Sequence, residues 1–466
     1  MIVMKFGGTS VQDAKAIQRV ASIVEGRRSQ KPVVVVSAMS KVTDSLIAMS
    51  SAAAKGDLKQ ALKIARQLRQ RHFTVLAALA TGELAEQTKL EIAALFESLM
   101  EVLRGVSALA ELSPRSTDNI LSFGEQLSSR LVTACFTQKG LNSVRVDSRE
   151  CVLTDDSFTQ AIPLVDATNR KLRSKLRPLL TAGKVPVMGG FISGTVDGIP
   201  TTLGRGGSDF SGAIIGAALG AQKIEIWTDV EGMMTTDPRL CPEAQTIDEI
   251  SFDEAAELAF FGAKVLHPAT LIPAVECNIP VYVLNSAHPE GKGTRIQAKT
   301  PPSHTMFRAI AVKKNVTVIN VKTPRMLQAY GFLRALFEIF ERHAISADLV
   351  STSEISVSIV LGTKFVTDAL VEDLKKIGSV DVDPGKAILC MVGENVKGQV
   401  GMAAQVFAAV AEGGINVHVI SQGASEINIG LVIHERDIEE AVTRLHRHFF
   451  GRNAPLRKKP VIARKG

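Results

Sequence analysis

Residues 5–10 of this 466-residue chain read KFGGTS. Lys5 ends a short apolar run, Gly7 and Gly8 turn the chain, and Thr9 or Ser10 is expected to cap a helix. A strand-to-helix turn of this kind gathers free backbone N–H groups and the positive end of a helix dipole. A phosphate fits there and Lys5 can reach it, although a plain turn with two glycines has the same spelling. SAMSKVTDS (37–45) repeats the arrangement. Ser37 and Thr43 bring hydroxyls to the sheet edge where open α/β sheets bind ligands, or else they cap the helix. In LSFGEQLSSR, Gly124 interrupts a helical pattern at a cost of about 1 kcal/mol against alanine. That cost implies close approach of another element, and it makes Glu125 a candidate ligand for an ammonium group; a surface glutamate has the same spacing. TTLGRGGSDF (201–210) sets Gly204, Gly206 and Gly207 around Arg205, Ser208 and Asp209. It is neither the GxxxxGK[ST] nor the GxGxxG phosphate pattern. Arginine suits bidentate capture of a carboxylate, and Asp209 can orient a lysine. IWTDVEGMMTTDPR (226–239) carries Thr228 and Asp229 at a strand end, and FGAKVLHPAT puts Lys264 before a proline-started helix. Separated lysines, helix N-termini and a glycine-rich loop are the parts of phosphoryl transfer by charge neutralisation and positioning.

The elements that must hold these residues alternate. IVMKF (2–6) and PVVVVSA (32–38) read as strands, the second a β-branched run suited to burial on both faces of a parallel sheet. Further strands are expected at 143–147, 185–189, 222–227 and 280–284. VQDAKAIQRVASIVEG has helical period and stops at Gly26. Residues 57–105 read as two long helices broken near Thr81-Gly82. Residues 116–140 read as one helix opening on Ser116 or Thr117 and closing at Gly140. Strand–helix alternation over about 290 residues predicts an α/β fold, an open and mainly parallel sheet with helices on both faces. KTPPSH (299–304) reads as a linker. Beyond it, FLRALFEIFERHAISADLVSTSEISVSIV (from Phe332) and MAAQVFAAVAEGGINVHVISQGASEINIGLVI (from Met402) form a repeat in which Asp348 aligns with His418 at an offset of 70. Ser353-Glu354 aligns with Ser425-Glu426 after a two-residue insertion. Each copy reads helix, strand, tight turn, strand, a small unit used twice.

Composition narrows the class. Of the net charge of +7, six units come from Arg452 to Gly466, leaving +7 − 6 = +1 for the rest. A short basic tail is not a basic binding face, so no nucleic acid is expected. No apolar run approaches the roughly 18–20 residues that span a bilayer, and the N-terminus lacks the features of a targeting peptide. Five cysteines, odd in number and without a CxxC pair, point to a reducing cytoplasm.

KFGGTS, VVVVSAMSKVT, FGEQLSSR, TTLGRGGSD, WTDVEGMMTTDPR and GAKVLHP, in this order and spacing, resemble the aspartate kinases of the amino-acid kinase fold. TSEISV and ISQGASEINI resemble the tandem ACT domains of the same family. The resemblance covers essentially residues 1–450 and implies a kinase domain at 1–298, a linker at 299–308, α+β ACT domains at 309–385 and 386–455, and a tail at 456–466. The implied reaction passes the γ-phosphoryl group of ATP to the β-carboxylate of L-aspartate, the first step towards lysine, threonine and methionine. It also implies roles. Lys5 and Lys264 neutralise phosphoryl and ADP, and Asp209 holds the lysines. Arg205 grips the α-carboxylate and Glu125 the α-ammonium, with Ser37, Thr43, Gly206, Gly207 and Ser208 lining the aspartate pocket. Phe6, Gly7, Gly8, Thr228, Asp229, Met234, Arg239 and Val265 contact the nucleotide. Many relatives carry tyrosine where this chain has Met234, which puts a hydroxyl contact in question.

The acceptor carboxylate is already ionised at neutral pH, so no general base is required. No carboxylate cluster reads as a metal cage, and Mg²⁺ is expected on the ATP phosphates and water. Met326, Asp348, Ser353 and Glu354 match the lysine site of lysine-inhibited relatives. L-lysine is therefore the expected effector at the first ACT copy, and a homodimer or homotetramer through the ACT domains is expected. A glutamate or acetylglutamate kinase would generally lack the tandem ACT tail. A non-catalytic sensor would be expected to have lost Lys5, Arg205, Asp209 or Lys264. A bifunctional homoserine dehydrogenase would need a dinucleotide fingerprint.

Overall fold

The computed structural model describes residues 1–262, 268–300, 307–326, 330–393, 400–422 and 427–451. Lys264, Val265, Ser425, Glu426 and the tail at 456–466 lie outside the described residues, as does most of the linker. The chain divides into two compact units, 1–233 with 265–298, and 234–264 with 299–466.

The first unit holds β1 (Ile2–Phe6), β2 (Pro32–Val36), β3 (Ser143–Val146), β4 (Leu153–Thr154), β5 (Val185–Gly189), β6 (Ile192–Thr195), β7 (Pro200–Thr202) and β8 (Ile224–Thr228). After β9 (Glu249–Ser251) of the second unit, β10 (Val281–Asn285) and β11 (Thr294–Gln297) return to it. Seven of these strands share a sheet in the order β3-β5-β2-β1-β8-β10-β11. All of its pairings are parallel except β10 with β11. The valines of β2 are fully buried, as the continuous β-branched run requires. Because β1, β8 and β2 are parallel neighbours, their carboxyl ends lie along one edge, and the loops beyond them build the site.

The helices of the first unit are α1 (Ala14–Glu25), α2 (Val42–Ala54), α3 (Leu58–Ala77), α4 (Gly82–Leu109), α5 (Pro114–Gln138), α6 (Val165–Thr181), α7 (Gly207–Leu219) and, after α8 (Phe252–Phe260) of the second unit, α9 (Ile272–Glu276). Two caps differ from expectation. Thr9–Val11 is a single 3-10 turn, and α1 starts only at Ala14, where the Asp13 carboxylate accepts the Ala16 N–H. The α5 helix opens three residues early because Ser113 caps it and Pro114 follows with its φ already set. Helix α7 carries glycine where it meets the sheet: a Cβ at Gly216 would come within 2.7 Å of the Ile224 side chain.

The second unit, beyond β9 and α8, contains β12 (Ala309–Lys322), α10 (Phe332–Arg342), β13 (Leu349–Thr352), β14 (Ser356–Gly362), α11 (Asp368–Lys375), β15 (Ser379–Val392), α12 (Met402–Ala411), β16 (Val419–Ser421), β17 (Asn428–His434) and α13 (Ile438–Phe450). Its strands form one antiparallel sheet in the order β13-β14-β12-β15-β17-β16. The first repeat copy appears as helix, strand, turn and strand, and in the second the helix and the two strands are described. The long β12 serves both copies. Ile319 and Val321 pack with Leu336, Ile359 and Leu370, whereas Ile310 packs with Leu389, Val406 and Leu445. Between those stretches the register shifts at Lys313–Val316, and Asn315 adopts φ 57, a bulge that re-aims side chains.

Candidate active site

Lys5 is the last residue but one of β1, and its neighbours give it room. A Cβ on Gly7 would sit 3.8 Å from Lys5 Nζ, and one on Gly212 would sit 3.6 Å from Lys5 Cβ. The ammonium lies 2.6 Å from Asp209 Oδ1, with side-chain exposures of only 10% and 13%. The contact is an ion pair by distance rather than an aligned hydrogen bond. Asp209 reaches it from the first turn of α7, where a negative side chain also suits the helix dipole.

The loop before α7 owes its shape to its glycines. Gly204 and Gly206 have φ 72 and φ 74, left-handed values that a side chain would strain. Gly207 has no such φ, but a Cβ there would lie 2.8 Å from the Phe191 ring. Phe191 itself holds φ 64, fixed by its N–H donating to Ser211 Oγ at 3.0 Å. Arg205 stands exposed between Gly204 and Gly206 at the rim.

Glu125 closes the site from below. It is 4% exposed, which excludes a surface glutamate. Gly124 lets α5 approach the chain after β2, for a Cβ there would come within 2.8 Å of Ala38 Cβ. As a result the Ala38 N–H donates to Glu125 Oε1 at 3.0 Å, while Oε2 is buried without a partner. Burial pushes the Glu125 carboxyl up to about 8, against the opposing pull of the Ala38 N–H and, more weakly, of Lys5.

These groups face one cavity of about 410 Å³, which brings together Lys5, Gly8, Ser37, Thr43, Glu125, Arg205, Gly206, Gly207, Ser208 and Asp209. The remaining nucleotide candidates are placed differently. Phe6 is fully buried and stacked on Trp227 at 5.9 Å, so only its backbone can meet a ligand. The Gly7 N–H donates to the Trp227 carbonyl at 2.9 Å and is not free for phosphate. Thr228 and Asp229 stand at the carboxyl end of β8, where Thr228 Oγ1 donates to Asp229 Oδ1 at 3.2 Å. Ser10 ties the first turn to this edge, its hydroxyl donating to Ser286 Oγ at 2.8 Å. Met234 and Arg239 belong to the second unit, where Arg239 is exposed and forks onto Asp237.

Sequence reasoning missed Asp118, two turns before Glu125 on α5. It is fully buried and accepts from Thr159 N–H (2.8 Å), Thr202 N–H (3.0 Å) and Thr202 Oγ1 (2.6 Å). A Cβ on Gly204 would lie 3.2 Å from the Thr159 carbonyl, so Asp118 sets the path of the chain into Arg205. Burial raises its carboxyl, and the three donors oppose this. The signal available was its seven-residue spacing from Glu125, which places both on one helix face.

A profile of the amino acid kinase family matches residues 1–285, and one of the ACT domain matches residues 389–449. The lysine-sensitive aspartokinase 3 of Escherichia coli is 37% identical over 460 residues, covering 97% of this chain and 99% of the relative. The chain belongs to the aspartokinase family. It is therefore a kinase, with ACT units behind its catalytic domain. Aspartokinase 3, chloroplastic, of Arabidopsis thaliana is 38% identical over 465 residues, covering 96% of this chain and 81% of that protein. The crystal structure of E. coli aspartokinase III with aspartate and ADP superposes with a TM-score of 0.83 at 36% identity, over 97% of this chain and all of that one. The same enzyme with lysine and aspartate gives 0.82 at 35% identity.

Proposed function

We propose that this aspartokinase-family enzyme transfers the γ-phosphoryl group of ATP to the β-carboxylate of L-aspartate in the cavity between Lys5 and Arg205. The unpartnered, buried Oε2 of Glu125 carries the assignment. A buried carboxylate oxygen without a donor awaits a cation, and the α-ammonium of an amino acid supplies one. Arg205 at the rim takes the α-carboxylate, and the hydroxyls of Ser37, Thr43 and Ser208 take the remaining polar atoms. The β-carboxylate then faces Lys5, whose charge offsets the repulsion between an anionic nucleophile and an anionic phosphate. Asp209 holds that ammonium in place, and Lys264 is proposed as the second cation. Thr228 and Asp229 sit on the strand next to β1, which supports a nucleotide along this edge. Phe6, Gly7 and Gly8 contribute backbone, and Met234, Arg239 and Val265 are proposed from the loops that follow.

The cavity offers no metal cage. Asp209 is engaged by Lys5, and Glu125 is too deep. The one grouping of ligand-type side chains found among the described residues, Cys241, Glu243 and His446, offers Mg²⁺ a single carboxylate beside a thiol and an imidazole, a set unsuited to it. Mg²⁺ is accordingly proposed to arrive on the ATP phosphates and to neutralise their charge.

L-lysine is proposed as effector of the first ACT copy, at Met326, Asp348, Ser353 and Glu354. Met326 packs on that copy's apolar cluster. Asp348 precedes β13, and the Ser353 hydroxyl closes the turn after it, bonding Ser356 Oγ at 2.7 Å. Assembly as a homodimer or homotetramer through the ACT domains is proposed with this site. All five cysteines are free, which fits the cytoplasm, and no described helix is long and apolar enough to cross a membrane. The test is a hydroxamate assay with ATP and either aspartate or glutamate, with and without lysine. Aspartyl hydroxamate alone, suppressed by millimolar lysine, is expected. Its absence would overturn the assignment of substrate, and an unchanged rate with lysine that of effector.

A further inference from the structure

Asp348, the carboxylate assigned to the lysine effector, is already held by a lysine of its own chain. Lys313 Nζ lies 2.6 Å from Asp348 Oδ1, with side-chain exposures of 30% and 10%. The same ammonium stands 5.3 Å from the centre of the Phe260 ring. The other carboxylate oxygen, Oδ2, is buried without a partner. Lys313 occupies the residue where the register of β12 begins to shift, so the bulge aims it across the strand. Phe260 is the last residue of α8, and two residues later Gly262, at φ 122, has no room for a Cβ against the Val312 carbonyl. The end of α8 is therefore pressed onto β12 beside Lys313, and in sequence it leads within four residues to Lys264.

The side chain of Lys313 ends in the same four-carbon stem and primary ammonium as free L-lysine. An occupant tethered to its own site competes at an effective concentration in the millimolar range. Free lysine therefore competes with Lys313 for the single negative charge of Asp348, and displacement of Lys313 removes the cation from Phe260. The effector gains a differential contact between two states of the α8 end, which is what a ligand needs to shift an equilibrium. The second copy cannot work this way. At the repeat's offset of 70, Lys313 becomes Asp383 and Asp348 becomes His418, and Asp383 is taken by Lys386 at 2.5 Å.

We infer that Lys313 is a built-in competitor of the effector: it occupies Asp348 and braces Phe260 until free lysine displaces it and releases the end of α8. This rests on the assignment of Asp348 to the effector, and the test separates the two. Lysine affinity of the full-length protein is measured by calorimetry. In Lys313→Met it is expected to tighten about tenfold, with half-inhibition at correspondingly less lysine. Unchanged or weaker binding overturns the inference. Lys313→Arg keeps the charge and pairs more firmly. It is expected to weaken lysine binding severalfold, and it decides the matter if the methionine variant does not fold, an unchanged affinity overturning the inference. In Phe260→Trp, saturating lysine should change the added indole emission with Lys313 present and not in Lys313→Met; an equal change in both overturns the release of α8. Asp348→Asn should abolish lysine binding. If lysine still binds there with full affinity, the effector assignment itself fails, whatever the Lys313 variants show.

Discussion

Two lysine–aspartate pairs of the same length join parts of this chain far apart in sequence, and the proposed function gives them opposite purposes. Lys5–Asp209 and Lys313–Asp348 are both 2.6 Å long. In the catalytic unit the lysine is the proposed working group. It is enclosed by glycine backbone, and its carboxylate partner comes from the first turn of a helix. In the regulatory unit the carboxylate is the proposed working group. It keeps one oxygen buried and unpartnered, and the lysine holding the other oxygen is the more exposed member of the pair. Chemical identity and distance therefore do not fix a role. What differs is which member of the pair is the more exposed and which one the proposed ligand takes.

The comparison breaks most visibly at Lys5. Replacing it with methionine is expected to lower kcat by on the order of 10²–10³, the scale of one lost cation at a developing charge. Asp209→Asn should follow in the same direction with a smaller loss, because Lys5 remains but is no longer held. Neither regulatory variant, Lys313→Met nor Asp348→Asn, should lower kcat at saturating aspartate in this way. Steady-state kinetics on the four variants checks this, and an equal loss of kcat in both pairs would erase the distinction. Arg205→Ala comes next. Loss of a charge-assisted contact of about 1.5–3 kcal/mol corresponds to an aspartate KM roughly 10- to 100-fold higher, with a smaller change in kcat. An unchanged KM would remove Arg205 from the carboxylate.

The catalytic pair was largely legible in the sequence, and the regulatory pair was not. Lys5 and Asp209 each sit in a glycine-rich turn beside the end of a strand, so the local spelling marks them. Gly124 announced the close approach that buries Glu125. The helix caps misled because Thr9, Ser10, Ser116 and Thr117 are all competent caps. The choice of Asp13 and Ser113 came from where the preceding turns end, which depends on contacts such as Ser10 with Ser286, 276 residues apart. Asp118 escaped notice because its three donors come from residues 41 and 84 positions away. Lys313 gave no signal at all. It is one of two lysines in KKN on a long strand, and only a bulge and a partner 35 residues distant give it a direction.

Glu125 sharpens the comparison further, with a smaller effect. It is more deeply buried than Asp209 or Asp348, and unlike them it has no lysine paired with it. Its folded carboxyl is raised from 4.5 to about 8, chiefly by burial. Between those values the folded protein keeps a proton that the unfolded chain has lost, so this group's contribution to stability falls as pH rises. Glutamine at the same position carries no such dependence. The melting temperature of the wild type should therefore decline relative to Glu125→Gln from about pH 5 to about pH 8 without ligand. Saturating aspartate should narrow that gap, because its ammonium favours the ionised carboxylate and lowers the raised value. The same coupling predicts that kcat/KM for aspartate rises with pH towards about 8 in the wild type and loses that rise in Glu125→Gln. A melting difference that stays constant across the range would mean that Glu125 is ionised throughout. The buried oxygen would then owe its charge to the protein's own groups and not to the substrate.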